Sequence, residues 1–154
     1  MSTSSQTTSA STIIEPVVVA LGSNEGDRAW YLGRALLELG RVIRLVKISK
    51  VHETKPVDAP AGSPDFLNMA VAGLARLPVH ELLRALQTIE RRLGRVRRGR
   101  NAPRVIDLDL IFYGAWRIRT PELTIPHPRY HEREFVLAPL RDLALPWPLP
   151  EANR

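Results

Sequence analysis

Residues 105–113 read Val-Ile-Asp-Leu-Asp-Leu-Ile-Phe-Tyr. As a strand, this segment puts Ile106, Leu108, Leu110 and Phe112 on one face and Val105, Asp107, Asp109 and Ile111 on the other. Such a strand demands a sheet with a covered apolar face, and it sends two carboxylates out of the same side about 6.5–7 Å apart. Like charges held that close on a half-buried surface repel unless a cation lies between them. Magnesium suits the pair, because it takes hard oxygen ligands, usually one or two carboxylates together with substrate phosphates and water. Solvated strand residues, or ion-pair partners for nearby arginines, are the alternatives.

Those arginines are close in the chain. Arg91, Arg92, Arg95, Arg97, Arg98, Arg100 and Arg104 fall within fourteen residues that contain no acid. They account for much of a net charge of +6, which makes polyanions the expected class of partner. Acidic metal ligands converging with guanidiniums are the electrostatic recipe for phosphoryl transfer. A nucleic-acid footprint is the rival reading, but an unmetallated acid pair would repel phosphates, and residues 91–104 hold no aromatic to stack on bases. No G-x-x-x-x-G-K-[ST] phosphate loop is present.

The rest of the chain supplies the other elements. A short apolar run, Pro16 to Leu21, ends at Gly22-Ser23-Asn24 and reads as a buried strand. Asp27 is placed to cap a helix with the stripe Leu32, Leu36 and Leu39, ending near Gly40. Residues 42–53 read as one strand with a wet face, and residues 54–64, with Pro56, Pro60, Gly62 and Pro64, as a binding loop. A strand over 66–74 and a helix opened by Pro78, with Leu82, Leu86, Ile89 and Leu93 on its apolar side, follow. Short extended segments are expected over 114–128, then a short helix over 131–140 stopped by Pro139. The order β, α, β, long loop, β, α, β predicts an α+β fold with a ferredoxin-like βαββαβ core: an antiparallel sheet with helices packed on it, plus an extra C-terminal hairpin and short helix.

With 154 residues, 44% of them hydrophobic, and no Cys, one globular domain over residues 15–154 is expected; a disulfide scaffold and a Cys-ligated metal are excluded. Nine of the first twelve residues are Ser or Thr, so residues 1–14 read as a disordered tail. That tail lacks the basic and apolar parts of a targeting signal, and the cytoplasm is the expected compartment. No stretch has the roughly 18 consecutive apolar residues of a membrane span. His127, set between Pro126 and Pro128 with Arg129 and Arg133 behind it, suits an anion or a packed surface. Phe66 and Phe135 suit either the core or two flat faces for a planar heterocycle.

Ala20-Leu-Gly-Ser-Asn24, Pro64-Asp-Phe-Leu-Asn68, Ile89-Glu90 with Gly94-Arg-Val-Arg97, Pro103-Arg104 with Asp107-Leu-Asp109, Ile125-Pro-His-Pro128 and Arg133-Glu-Phe135 stand in the order and spacing of one family. The chain resembles the 6-hydroxymethyl-7,8-dihydropterin pyrophosphokinases over about residues 16–145. That resemblance implies Mg²⁺-dependent transfer of pyrophosphate from ATP to the pterin hydroxymethyl group, with release of AMP, in folate biosynthesis. It implies two Mg²⁺ ions on Asp107 and Asp109, with Arg95 and Arg104 also catalytic. Gln87, Glu90, Arg95, Arg97, Arg104, His127 and Arg133 would form the ATP side, and Thr54, Val57, Phe66, Asn68 and Phe135 the pterin side. Metal coordination would ease loss of the hydroxyl proton, so no strong dedicated base is required, and Asp109 is one candidate acceptor. The expected partners are ATP and the pterin, with no nucleic acid and no membrane, and a monomer is expected. Two departures stand out: Asn101-Ala102 precede Pro103-Arg104 where some members carry an aromatic, and the glycine of the pterin loop is displaced to Gly62.

Overall fold

A computed structural model describes residues 13–96, 99 and 102–145. The first twelve residues of the expected tail and Arg97 lie outside the described residues.

Strand β1 (Glu15–Ser23) forms the middle of the sheet. Helix α1 (Arg28–Leu39) follows, and the Asp27 side chain accepts the Trp30 N–H at its start, as its position predicts. Its end differs in detail: Gly40 keeps a right-handed conformation (φ −62°), so the helix stops there without a left-handed turn. Residues 42–53 form two strands where one is expected, β2 (Ile43–Ile48) and β3 (His52–Thr54). The break is at Ser49, whose hydroxyl accepts the Ala70 N–H while its own N–H donates to Ala70 O. A side chain thus stands in for one rung of the ladder and lets the backbone turn away.

β4 (Phe66–Ala75) pairs antiparallel with β1, β2 and β3. Helix α2 (Val79–Arg92) begins after Pro78, carries Glu81 in its first turn and Arg91 and Arg92 in its last, and buries Leu82, Leu86, Ile89 and Glu90. Gly94 then turns the chain with φ +96°. β5 (Asp107–Tyr113) pairs antiparallel with the other side of β1. The order across the sheet is β2-β4-β1-β5, with β3 also on β4, which is the expected βαββαβ arrangement. The added hairpin is β6 (Ile118–Arg119) with β7 (Thr124–Ile125), and the added helix is α3 (Glu134–Leu143), preceded by a 3₁₀ turn at Tyr130–Glu132. Pro139 does not stop α3 but lies inside it. Its missing N–H forfeits one helical bond, and the helix persists because Val136, Pro139 and Leu143 are buried against the sheet.

The two faces of the sheet do different work. Val17, Val19, Leu21, Leu108 and Leu110 pack beneath α1 and α2 with Leu32, Leu39, Leu82, Leu86 and Ile89. Val18, Ala70 and Ala72 face α3 with Val136 and Leu143. The alternation expected along β5 breaks at a bulge: Val19 pairs with Leu110 but Val18 with Phe112, leaving Ile111 as the extra residue. Phe112 therefore joins Ile111 on the α3 side and Tyr113 joins the α1–α2 side. Asp107 and Asp109 precede the bulge and keep the common face that alternation gives them. Among the described residues no helix is long and apolar enough to cross a membrane.

Candidate active site

On the α3 side of the sheet the strands open into a cavity of ≈390 Å³. Its floor is β1 at Ala20, Leu21 and Gly22. Gly22 is in register with Asn68 of β4 on one side and Asp107 of β5 on the other. A Cβ at Gly22 would stand 3.1 Å from Asn68 Oδ1 and 3.4 Å from Phe66 Cδ1, so bare backbone is what leaves the floor open.

On the β4 side the wall is Phe66, Asn68, Thr54 and Val57. Asn68 is 6% exposed and donates from Nδ2 to Thr54 Oγ1 at 2.6 Å. Strand pairing explains the match, since β3 aligns Thr54 with Phe66 and His52 with Asn68. The opposite wall comes from the first turn of α3: Phe135, Val136, Glu134 and Arg133. Phe66 and Phe135 thus meet at one cavity from elements nearly 70 residues apart in sequence.

The third wall is charged. Asp107, Asp109, Arg104 and Arg133 line it. Arg104 Nη1 donates to Asp107 Oδ2 at 3.3 Å, and its guanidinium lies 5.8 Å from the Phe66 ring centre. Arg133 lies in the same way 5.6 Å from the ring centre of Phe135. Each aromatic wall therefore carries one of the arginines.

Among the described residues, four of those named from the sequence do not line the cavity. Arg95 supports it from behind, donating from Nη1 to Asp107 Oδ1 and to Glu90 Oε2, both at 2.8 Å. Burial lowers the Arg95 pKa, but the Asp107 and Glu90 charges outweigh it and the net shift is upward. Glu90, 5% exposed on α2, also accepts the Leu108 N–H. Gln87 is half-buried one turn earlier on α2. His127 donates its N–H to Ile111 O, and its buried Nδ1 has no partner among the described residues. Burial and then the Arg133 charge lower its pKa against the pull of Asp107, which favours the neutral ring.

The cavity also includes Asp58 and Glu132 at the rim, which sequence reasoning missed, together with Lys55, Arg129 and Gly22, which it placed in candidate site segments without a side-chain role. Lys55 and Asp58 belong to the Pro-rich stretch read as a binding loop, and Gly22 to a tripeptide that suits either a site lining or a turn.

The donor set fits a hard divalent cation. Asp107 and Asp109 offer carboxylate oxygens on one wall, and the Asp109 carboxyl is pushed up to about 8 by burial, then by the charges of Asp107 and Glu90. Arg95 and Arg133 pull it down without offsetting that. Both Asp107 oxygens already accept from Arg95 and Arg104, whereas burial and the neighbouring carboxylates disfavour a charge on Asp109, and a bound cation would relieve that.

The chain matches the family described as 7,8-dihydro-6-hydroxymethylpterin-pyrophosphokinase (HPPK) over residues 18–145. It belongs to that family. HPPK enzymes are the pyrophosphokinases of folate biosynthesis, and their Bacillus subtilis relative, 2-amino-4-hydroxy-6-hydroxymethyldihydropteridine pyrophosphokinase, is 45% identical over 127 residues, 81% of this chain and 75% of that one. The relative of the same name from Porphyromonas gingivalis is 40% identical over 141 residues, 88% of this chain and 95% of the other. Plant relatives are longer. The mitochondrial folate synthesis bifunctional protein of Pisum sativum is 45% identical over 130 residues, 84% of this chain but 25% of that protein. This HPPK chain thus spans about a quarter of the plant proteins it matches. The fold agrees with a crystal structure of Plasmodium falciparum HPPK-DHPS, with a TM-score of 0.68 at 14% identity, covering 90% of this chain and 40% of that one.

Proposed function

We propose that this chain transfers pyrophosphate from ATP to the hydroxymethyl oxygen of 6-hydroxymethyl-7,8-dihydropterin and releases AMP. The observation that carries the reading is the single cavity in which two aromatic side chains and a buried amide face two carboxylates and two arginines. Phe66 and Phe135 offer flat faces to a planar ring. Asn68, oriented by Thr54, and the backbone of the 54–57 segment offer donors and acceptors for its edge. Val57 covers the rim.

Asp107 and Asp109 are the residues to hold magnesium, and two ions are our proposal for the count. A magnesium ion held by them would supply charge against phosphate oxygens and would make a hydroxyl easier to ionise. The chain itself supplies the rest. Arg104 and Arg133 flank the position of the triphosphate, and Arg95, held by Glu90 and Asp107, adds fixed positive charge behind the strand. A neutral His127 serves there as a hydrogen-bond donor, not as a charge. We place Gln87 and Arg97 on the nucleotide side and Asp109 as the acceptor of the hydroxyl proton. In-line transfer needs little covalent chemistry from the protein, so positioning and charge carry the rate.

A monomer as the acting unit and a single domain over 15–154 are part of the proposal; for the second, β1 to α3 form one continuous sheet-and-helix body over residues 15–143. The test is product analysis with ATP, Mg²⁺ and the pterin. Pterin-dependent AMP without ADP or free pyrophosphate is the expected result. Free pyrophosphate would indicate nucleotidyl transfer, and absent turnover from folded protein would overturn the assignment.

A further inference from the structure

Asn24 follows β1 directly and is 1% exposed. Its side chain is absent from the lining of the cavity. Nevertheless it holds two segments that are in it. The Asn24 N–H donates to Arg104 O at 3.1 Å, and Asn24 Oδ1 accepts the Arg104 N–H at 2.8 Å, so one residue grips both sides of the Arg104 backbone. Its remaining group, Nδ2, donates to Pro64 O at 3.3 Å, two residues before Phe66. A second tether closes the same turn: Arg28 Nη1 donates to Asp65 O and to Glu53 Oε2, both at 2.9 Å.

The connected segments carry different halves of the cavity. Arg104 meets Asp107 on the charged wall, and Phe66 forms the aromatic wall, with the Arg104 guanidinium resting over the ring. Neither segment has ladder bonding of its own at the point of attachment, since β4 begins at Phe66 and β5 at Asp107. A buried amide with its backbone N–H and both side-chain groups engaged is a costly thing to disturb.

We propose that Asn24 is a positioning residue of this enzyme, acting through Arg104 on the nucleotide and through the Pro64–Phe66 segment on the pterin. This role rests on the pyrophosphokinase reading above. Its chemistry separates the two arms. Asn24→Asp keeps an acceptor for the Arg104 N–H but loses the donor to Pro64 O; Asn24→Ala loses both.

The test measures steady-state constants for both substrates, with melting temperature alongside, in wild type, the two Asn24 variants, Arg104→Ala and the double variant Asn24→Ala/Arg104→Ala. Asn24→Asp is expected to raise the pterin KM about tenfold and leave the ATP KM within about twofold, the split that the loss of one hydrogen-bond arm produces. Asn24→Ala is expected to impair both, and its effect on kcat/KM for ATP is expected to vanish in the Arg104→Ala background, as it must if it acts through that residue. Should Asn24→Ala fail to fold, the Asn24→Asp split carries the test. Equal losses for both substrates in Asn24→Asp, or an Asn24→Ala effect on ATP that adds in full to that of Arg104→Ala, overturn the role. Lowered melting temperature with unchanged constants overturns it too. A wild-type chain with no pterin-dependent AMP overturns the functional reading itself, and is told apart from the other failures because it needs no variant.

Discussion

Glu90 Oε2 accepts the backbone N–H of Leu108 at 2.7 Å, so a helix carboxylate grips the strand residue that lies between the two aspartates. The same oxygen takes the Arg95 guanidinium. Removing it leaves a buried N–H and a mostly buried cation short of a partner. Glu90→Ala should therefore lose about 2–4 kcal/mol of stability, while Glu90→Gln, which keeps an acceptor, should lose about half of that. Chemical denaturation of both variants checks the order, and amide exchange at Leu108 should rise more in Glu90→Ala.

The two aspartates should part company when each is removed. Asp107→Ala and Asp109→Ala are both expected to reduce kcat by at least about a thousandfold if they hold the metal. Their effects on stability should differ. Asp107 accepts from Arg95 and Arg104, so its loss should cost about 1 kcal/mol, discounted for partial exposure. Asp109 is repelled by its neighbours, so its loss should be neutral or stabilising. Melting curves without metal, set beside single-turnover rates, test both halves.

Stability should also depend on pH through Asp109. Its folded pKa, pushed up to about 8, exceeds the ordinary 3.8, so the folded state binds a proton that the unfolded state releases between those values. This contribution is fully present below about pH 4 and is lost as pH rises through about 8. Asp109→Asn, which resembles the protonated acid, should melt about 5 °C above wild type at pH 8.5 and close to it at pH 4.5. Metal binding must displace the same proton, so calorimetry of Mg²⁺ binding at pH 7 in buffers of different ionisation enthalpy should report proton release.

Phe135→Ala should weaken pterin binding about tenfold or more and ATP binding much less, since the ring lines only the aromatic wall. Gly22→Ala is the complementary test. Its new Cβ enters the space before Asn68 and Phe66, so the pterin KM should rise while the fold survives. Calorimetric titration with each substrate separates the two effects, and equal losses would argue against the stacking role.

Much of this was written in local sequence. The Asp27 cap, the Pro78 start and the common face of Asp107 and Asp109 depend on residues a few positions apart. What escaped depends on distant partners. The Ile111 bulge is set by pairing with β1, the strand break at Ser49 by Ala70, and the survival of α3 past Pro139 by burial against the sheet. The same holds for the site. That Phe66 and Phe135 share a cavity depends on α3 lying over β4, and the bond from the Leu108 N–H to Glu90 depends on α2 packing on β5, neither of which is written in local sequence.

Because the cavity floor at Gly22 is main chain, a compound resting on it would press against peptide atoms that no substitution deletes. Escape from such an inhibitor would have to come from side chains at the rim, or from a side chain added at Gly22 itself. The second route narrows the space for the natural substrate as well, so drug resistance gained there carries its own loss of fitness.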